Sequence, residues 1–353
     1  MYRYIIPSQP AMIAPAGNSV PWGVIVSRRV TLKDIADEAG VSIMTVSNSL
    51  NGKRGKVSES TIERIEQIAR RRGYVPSASA RSLAADSSKL IGLLVPAEAN
   101  ATLALSPYNV EVFGVLEREL RGRGYHVLFR GVSTAEEVDI ALRSWNLDGA
   151  ILLGFPDRGV ERVHPPANTT IVALDSYAST TDAIEVRSDD FQGGRLAAAH
   201  LLTQGHRRIL FAGPDIGTTG VIHERFAGFI AAFGEADAEW DPADREEGES
   251  TYEAGIAIGR ELTSRHPAIT AVFATADVLA IGIIEGLREQ EIAVPKDVSV
   301  VGFDNLDVDN YITPKLTSID QDVYTKALNA AQLLLTAIEG QTIDQPITPC
   351  TSD

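Results

Sequence analysis

Between residues 30 and 50, apolar side chains recur at spacings of three and four, which is the pattern of helices with one buried face. Thr31 can cap a first helix together with Asp34, three residues later, and Gly40 supplies a left-handed stop. Ser42 can then cap a second helix. Two short helices joined by a glycine-containing turn predict a helix-turn-helix, in which the second helix enters the major groove of DNA.

A third amphipathic helix follows, capped by Ser58 and ended by Gly73, so residues 30–76 are predicted to form a small all-α headpiece. Residues 77–89 contain one short helix with almost no apolar face and then a polar linker. Such a segment is marginal on its own, and we expect it to fold only against a partner.

From residue 90 onward, short apolar runs alternate with amphipathic helices, which indicates parallel sheets covered on both faces. Residues 90–353 are too many for one doubly wound sheet. We therefore predict an α/β core of two Rossmann-like subdomains, with crossovers near residue 189 and at 314–318, and with a ligand beyond the carboxyl ends of the strands. The predicted strands are Leu90–Val95, His126–Phe129, Ala150–Gly154, Thr170–Asp175, Ile184–Val186, Ile209–Ala212, Ala271–Ala274, Val298–Phe303 and Thr317–Ile319.

Charge is divided unevenly along the 353 residues, whose formal net charge is −15. Residues 1–89 hold 13 of the 32 basic and 7 of the 47 acidic side chains, which leaves 19 basic and 40 acidic side chains for the remainder. A basic head on an acidic body favours contact with DNA through the head alone.

The chain has a single cysteine, Cys350, and six histidines without a paired metal-ligand spacing. A disulfide framework is therefore excluded, a reducing cytoplasm is the expected setting, and we expect neither a metal nor a cofactor. No apolar run is long enough to span a membrane. A signal peptide in residues 1–29 would need a continuous apolar centre, which prolines interrupt, so a disordered extension or a start codon placed too far upstream is the preferred interpretation.

Several motifs occur in a fixed order: Thr-Leu-Lys-Asp-Ile-Ala, Ala-Gly-Val-Ser, Thr-Val-Ser-Asn-Ser-Leu-Asn-Gly, Gly-Tyr-Val-Pro and Ala-Arg-Ser-Leu within 31–83, then matching core motifs at 91–96, 147–151, 205–209, 294–304 and 314–317. This set resembles the LacI/GalR family of bacterial transcriptional repressors over about residues 28–340. The resemblance implies a periplasmic-binding-protein-like core of type I. It also implies a homodimer on a pseudo-palindromic operator in double-stranded DNA, controlled by a small molecule, expected to be a sugar or a derivative.

By the same resemblance, Ile43, Met44 and Asn48 match the base-reading positions of the second helix. The first two are apolar here, so we expect contact with thymine methyl groups, while the alternative is that both belong to the core. Ala80 and Leu83 match the hinge positions that meet in the minor groove, where Leu83 would act as a wedge, although a plain linker leucine is the alternative. The other predicted DNA contacts cap helices or touch phosphate, and they are Thr31, Ser42, Thr45, Ser47 and Asn51.

The resemblance also indicates an effector site. Arg225 matches a family arginine that binds ligand hydroxyls or carboxylate, and paired carboxylates near an arginine suit the hydroxyls of a sugar. For each acid, the alternative is a helix cap or a surface charge. The predicted effector-binding residues are Arg225, the strand-end acids Asp277 and Asp304, the crossover acid Asp190, and the apolar walls Tyr108 and Phe155.

Departures from the family pattern concern Ala276, where relatives usually have asparagine, and the chain end at Asp353, where the usual final strand motif is missing.

Two other functions compete with the regulator. A solute-binding protein of a sugar transporter would need export and no DNA-binding head. A Rossmann-type enzyme would need a glycine-rich phosphate loop after the first strand, and residues 93–98 contain none, so we expect no enzymatic activity.

Overall fold

The computed structural model describes residues 30–50, 57–75, 87–97, 103, 105–180, 182–341 and 347–350. The chain divides into two compact units, Met1–Ala80 and Arg81–Asp353. Three predictions lie outside the described residues: the character of residues 1–29, the DNA contact of Asn51, and the hinge contacts of Ala80 and Leu83.

The headpiece contains three helices, α1 (Leu32–Ala39), α2 (Ile43–Leu50) and α3 (Glu59–Arg72). The capping box of α1 is present, because Asp34 N donates to Thr31 Oγ1 at 3.3 Å and Thr31 N donates to Asp34 Oδ2 at 2.8 Å. Gly40 ends α1 with φ = 64°, a left-handed conformation that suits glycine. The tight corner of a helix-turn-helix therefore follows from local sequence.

Ser42 and Ser58 differ as caps. Ser42 Oγ accepts from Thr45 N at 3.1 Å and caps α2 as predicted. Ser58 precedes α3, but its hydroxyl bonds with the Thr61 hydroxyl at 2.8 Å and makes no cap hydrogen bond, so that part of the prediction is wrong. The three helices close around a buried cluster that includes Ile35, Val46 and Ile65, which supplies the headpiece with its own apolar core.

The core has two sheets, in which every pairing is parallel. The N-terminal sheet has the strand order β11-β5-β4-β3-β1-β2, and the C-terminal sheet has the order β10-β9-β8-β6-β7. The strands are β1 (Leu90–Pro96), β2 (His126–Val132), β3 (Gly149–Leu153), β4 (Thr170–Leu174), β5 (Ile184–Ser188), β6 (Ile209–Gly213), β7 (Arg245–Glu247), β8 (Ala271–Ala274), β9 (Ser299–Asp304), β10 (Thr317–Asp320) and β11 (Ile347–Cys350).

Helices cover these sheets and complete two Rossmann-like subdomains, which confirms the predicted fold class. The helices are α4 (Pro107–Gly122), α5 (Ala135–Ser144), α6 (Asp157–Val160), α7 (Asp190–Thr203), α8 (Val221–Glu235), α9 (Tyr252–Arg265), α10 (Asp277–Glu289) and α11 (Val323–Ile338), with a 3-10 turn at Asp307–Asn310. Within the described part of the chain, no helix is long and apolar enough to cross a membrane.

Both strands that the sequence did not predict lie at sheet edges. β7 reads Arg-Glu-Glu and lacks the apolar run that marks a buried strand. β11 pairs in parallel with β5, with Ile347 opposite Glu185, so the expectation of a missing final strand is wrong. Edge strands have only one neighbour and need less apolar surface, which is why an apolar pattern misses them.

The crossovers between subdomains fix where the two sheets face each other. The first falls at Asp189, between β5 and α7, near the predicted position. The return falls at Gln321–Asp322, later than the predicted 314–318. The reason is that β10 still belongs to the C-terminal sheet, where Thr317 pairs with Val301.

Helices α7 and α8 pack unusually closely. A Cβ atom on Gly194 would lie 1.9 Å from the backbone oxygen of Arg225, and one on Gly228 would lie 1.8 Å from that of Phe191. Only glycine allows this approach at either position. The contact sets Arg225, on α8, against the helix that begins with Asp190.

Candidate functional site

The predicted DNA-reading face of α2 is solvent-accessible at its apolar tip. Ile43 and Met44 are 48 % and 72 % exposed, so the alternative that they belong to the core is wrong. The inner face of α2 is occupied instead by Val46 and Ser49, which are buried. Large apolar side chains exposed side by side on one helix suit contact with another surface.

The polar side chains around this tip are engaged within the headpiece. Thr31 Oγ1 donates to Asp34 at 2.7 Å, and the hydroxyls of Ser42 and Thr45 bond to each other at 2.9 Å. Ser47 and Asn48 lie half-buried on the same helix. Capping is thus the observed role of Thr31 and Ser42, and a phosphate contact by either remains a prediction.

A cavity of about 950 Å³ lies between the two sheets of the core. Its wall is formed by residues that follow the carboxyl ends of strands β3, β4, β6, β8 and β9, together with the first turn of α4. This is the position where ligands bind in parallel α/β folds. Four of the six predicted effector residues line the cavity: Tyr108, Phe155, Arg225 and Asp304.

Arg225 and Asp190 form a buried ion pair at the back of this cavity. Arg225 Nε donates to Asp190 Oδ1 at 2.9 Å, and its Nη1 donates to the backbone oxygen of Thr275 at 2.6 Å. The guanidinium carbon lies 3.5 Å from the ring centroid of Phe303. Asp190 also accepts from the Tyr177 hydroxyl at 2.9 Å and does not line the cavity, so its observed role is to orient Arg225.

Asp304 lies on the cavity wall in a strained conformation. Its φ is 134°, a region that side-chain-bearing residues rarely adopt. Gln321 Nε2 donates to its carboxylate. Burial raises the pKa of Asp304 to about 8, although the positive charge of Arg225 opposes that shift.

Asp277 does not lie on the wall, contrary to the prediction of a ligand contact. Its carboxylate accepts from Leu306 N at 3.0 Å and from the Ser318 hydroxyl at 2.5 Å, and so holds the segment after β9. Burial, together with the neighbouring carboxyl group of Asp277, raises the pKa of Asp309 to about 8. Asp277 therefore supports the cavity from behind.

Three residues on or directly behind the cavity wall were not predicted from the sequence. Asp175 lines the cavity, and it accepts from Tyr108 Oη and from Lys326 Nζ, the latter at 2.7 Å. Gln321, also on the wall, bridges Lys326 and Asp304. The signals existed: Asp175 directly follows an apolar strand, as Asp304 does, and Lys326 lies on the apolar face of α11.

Metal ligands are not clustered in this site. Across the residues that the structure describes, no group of three or more His, Cys, Asp or Glu side chains is arranged to hold a metal ion. The chemistry of the cavity is that of hydrogen bonding and ion pairing.

Comparison with known proteins agrees with both parts of the chain. The family described as bacterial regulatory proteins, lacI family, matches residues 31–77, and the periplasmic binding protein-like domain matches residues 198–352. The HTH-type transcriptional repressor CytR of Escherichia coli (strain K12) is 32% identical over 322 residues, which covers 88% of this chain and 90% of that protein.

Two further similarities concern a regulator named CelR. The HTH-type transcriptional regulator CelR of Thermobifida fusca is 32% identical over 331 residues, covering 90% of this chain and 94% of that protein. A solved transcriptional regulator CelR–cellobiose complex has 28% identity and a TM-score of 0.68, covering 92% of this chain and 98% of that one.

These matches favour the regulator over the transport protein. The relatives are named as transcriptional regulators and not as enzymes, and a transport protein is disfavoured because the DNA-binding headpiece is matched together with the core. The chain therefore belongs to the lacI family of bacterial regulatory proteins.

Proposed function

We propose that this chain is a cytoplasmic transcriptional repressor that binds a pseudo-palindromic operator as a homodimer and changes its DNA affinity when a sugar-like molecule occupies the core cavity. The observation that carries the proposal is the cavity between the two parallel sheets, lined by Arg225 and by several carboxyl groups, in a chain that also holds a helix-turn-helix. A cavity of this volume accommodates a small molecule of the size of a sugar. Cellobiose in the similar CelR complex supports the ligand class.

In this proposal, α2 reads bases. Ile43 and Met44 contact thymine methyl groups, and Asn48 contacts an adenine edge or a phosphate. Thr31, Ser42, Thr45, Ser47 and Asn51 act near the phosphates, and Ala80 and Leu83 act in the minor groove. In the core, Arg225 and Asp304 bind ligand hydroxyls between the walls of Tyr108 and Phe155, with Asp190 orienting Arg225.

The experiment measures binding of the full-length protein to duplexes from the region upstream of its own coding sequence, by fluorescence anisotropy at low and at physiological salt. We expect one duplex to bind at least 1,000-fold more tightly than random DNA, as specific repressors do. A panel of sugars should change that affinity at least tenfold for one member. Equal affinity for all duplexes would contradict the proposal.

A matched pair of variants ties the result to α2. Ile43→Ala/Met44→Ala should lose specific binding while retaining the salt-dependent binding to random DNA. Gln67→Ala changes an exposed, uncharged residue of α3 and should bind like the parent. Loss of specific binding in both variants would point to misfolding of the headpiece.

A further inference from the structure

Lys326 occupies an unusual place for a lysine. It lies on α11 beside Val323, Ala327 and Ala330, on the face that packs into the N-terminal core, and its exposed fraction is 0%. Lysine is almost never fully buried unless it is paired, because its ammonium group loses its hydration. The sequence places a fixed positive charge where an apolar residue would otherwise complete the core.

The contacts of Lys326 lie within the protein. Its Nζ donates to Asp175 Oδ1 at 2.7 Å and to Gln321 Oε1, and it lies 5.0 Å from the ring centroid of Tyr108. Lys326 lies behind Asp175 and is not part of the cavity wall. Any effect on a ligand therefore passes through the wall residues that Lys326 contacts, Asp175 and Gln321, and Lys326 is a positioning residue.

The two cations buried at the cavity are thus each matched by a carboxylate, Lys326 by Asp175 and Arg225 by Asp190. The remaining charges on the wall are mainly negative. On the rim, Asp215 is paired with Arg245 at 3.2 Å. The other charged side chains among the described wall residues are Asp157, Arg158 and Glu249, and Asp304 adds a carboxyl group whose pKa is raised by burial. The cavity therefore has no surplus of positive charge with which to hold a phosphate or a carboxylate.

The acceptors on the wall call for a ligand that donates hydrogen bonds. Asp157 Oδ1 accepts from Tyr177 N at 2.8 Å, but its buried Oδ2 has no hydrogen-bond partner among the described residues. Asp175 and Asp304 present further carboxyl oxygens to the cavity. Hydroxyl groups donate to such oxygens in charge-assisted hydrogen bonds, whereas a phosphate dianion offers only acceptors and is repelled.

We infer that the buried ion pair between Asp175 and Lys326 sets the charge class of the effector: Asp175 cancels the positive charge of Lys326, so that an uncharged polyhydroxylated molecule binds and its phosphorylated or carboxylated counterpart is rejected. This inference rests on the proposed function of the cavity as the effector site. To the proposed function it adds that the ligand is uncharged and that the ion pair between Asp175 and Lys326 determines this preference.

The first test uses the full-length protein and matched ligand pairs: glucose with glucose 6-phosphate, ribose with ribose 5-phosphate, and cellobiose with cellobionate. Binding is measured by calorimetry and by the rise in melting temperature. We expect the uncharged member of at least one pair to bind at least tenfold more tightly than its anionic counterpart. Tighter binding of the anionic member, or no binding by any pair, overturns the inference.

The second test separates charge control from simple structural support. Asp175→Asn removes the carboxylate and leaves the Lys326 ammonium uncompensated, so the ratio of anionic to uncharged affinity should rise at least tenfold. The variant Asp175→Asn/Lys326→Met removes both charges, and its ratio should stay within threefold of the parent while affinity for the uncharged sugar falls. A structural role alone would weaken both ligands equally in both variants, and that result overturns the inference.

If Asp175→Asn does not fold, the double variant still decides, because it replaces the buried pair by neutral groups. A tenfold shift of its ratio toward the anionic sugar would show that the mutual cancellation of the Lys326 and Asp175 charges is not the source of control. DNA binding is measured in parallel. An anionic sugar that changes DNA affinity refutes the charge class but keeps the proposed regulator, whereas uncharged binding without any specific DNA binding refutes the regulator and keeps the charge class.

Discussion

The predicted DNA-reading surface ends in the exposed apolar side chains of Ile43 and Met44, whereas the core cavity is backed by the buried charges of Asp190, Arg225 and Lys326. An exposed apolar side chain needs no partner in the free protein, so each can change without disturbing the headpiece core. A buried charge needs a partner, and here the partners come from different helices and strands. Substitutions on α2 should therefore change binding preference without changing stability, whereas substitutions of the buried charges at the cavity should change both.

The largest expected effect concerns the buried charges of the core, where a substitution should change stability as well as ligand binding. Arg225→Met leaves Asp190 buried without its charged partner, which should lower the free energy of unfolding of the core by about 3–5 kcal/mol. Denaturant unfolding followed by tryptophan fluorescence measures this loss. Arg225→Met/Asp190→Asn should recover more than half of it, and a double variant as unstable as the single one would show that the pair is not the cause.

A second prediction concerns the helix packing that holds Arg225 in place. Gly228→Ala puts a methyl group against the backbone of Phe191, and overpacking of this kind should lower the free energy of unfolding by about 1–3 kcal/mol. Gly234→Ala is the control on the same helix, because a Cβ atom there has no neighbour within 4 Å. Alanine should raise stability at that position by about 0.5–1 kcal/mol. Thermal or urea unfolding measures both changes. A change of the free energy of unfolding in the same direction in both variants would contradict the prediction.

The third prediction concerns α2, where substitutions should change DNA binding but not the stability of the headpiece. Ile43→Ala and Met44→Ala should change headpiece stability by less than about 0.5 kcal/mol, as surface substitutions usually do. Each should weaken binding to the best duplex by about 1 kcal/mol through lost apolar contact. Replacing thymine by deoxyuridine in that duplex removes the methyl group, and it should weaken the parent but not the variant that lost the matching side chain. An equal deoxyuridine effect in parent and variants would rule out methyl contact.

The smallest expected effect is a pH dependence of opposite sign in the two units. Burial raises the pKa of Asp309 to about 8, whereas an unfolded aspartate titrates near about 4. The folded core therefore holds more protons between these values, and its stability falls as pH rises from about 4 to about 8. Hydrogen bonds from Arg72 and Arg71 lower the pKa of Glu38, so the headpiece instead loses stability as pH falls through the titration of that group.

Melting curves at pH 5.5 and 8.5 measure the core effect. Asp309→Asn should reduce the drop in melting temperature between these two pH values by about 2–4 °C. Asp320→Asn changes an exposed aspartate at the end of β10, in the same subdomain, and should leave the drop unchanged. Identical pH slopes for Asp309→Asn and the parent would exclude this carboxyl group as the origin.

Local patterns were enough to predict the headpiece and most of the core. Thr31, Gly40 and Ser42 act within four residues of their partners, so spacing alone reveals them. The central parallel strands carry continuous apolar runs because helices cover both faces of the sheets, so these strands can also be recognised from the local sequence. Edge strands β7 and β11 lack such runs. The return crossover was predicted too early because nothing in the sequence of β10 indicates to which of the two sheets it belongs.

The cavity was only partly predictable, because its residues meet through the fold. Arg225 and Asp304 were found from family position and strand ends, but the same reasoning placed Asp277 on the wall, although backbone and hydroxyl donors engage its carboxylate. Lys326 was missed because a lysine on an amphipathic helix is normally solvated. Its pairing with Asp175, 151 residues earlier in the chain, has no signature in sequence spacing.

The apolar tip of α2 also has a thermal consequence. Water that surrounds Ile43 and Met44 in the free headpiece would be released when the tip lies against base edges, and removal of apolar surface from water gives a negative heat-capacity change. Contact with phosphates alone leaves the tip hydrated. The enthalpy of sequence-specific binding should therefore become steadily more favourable on warming, while that of non-specific binding should change little with temperature.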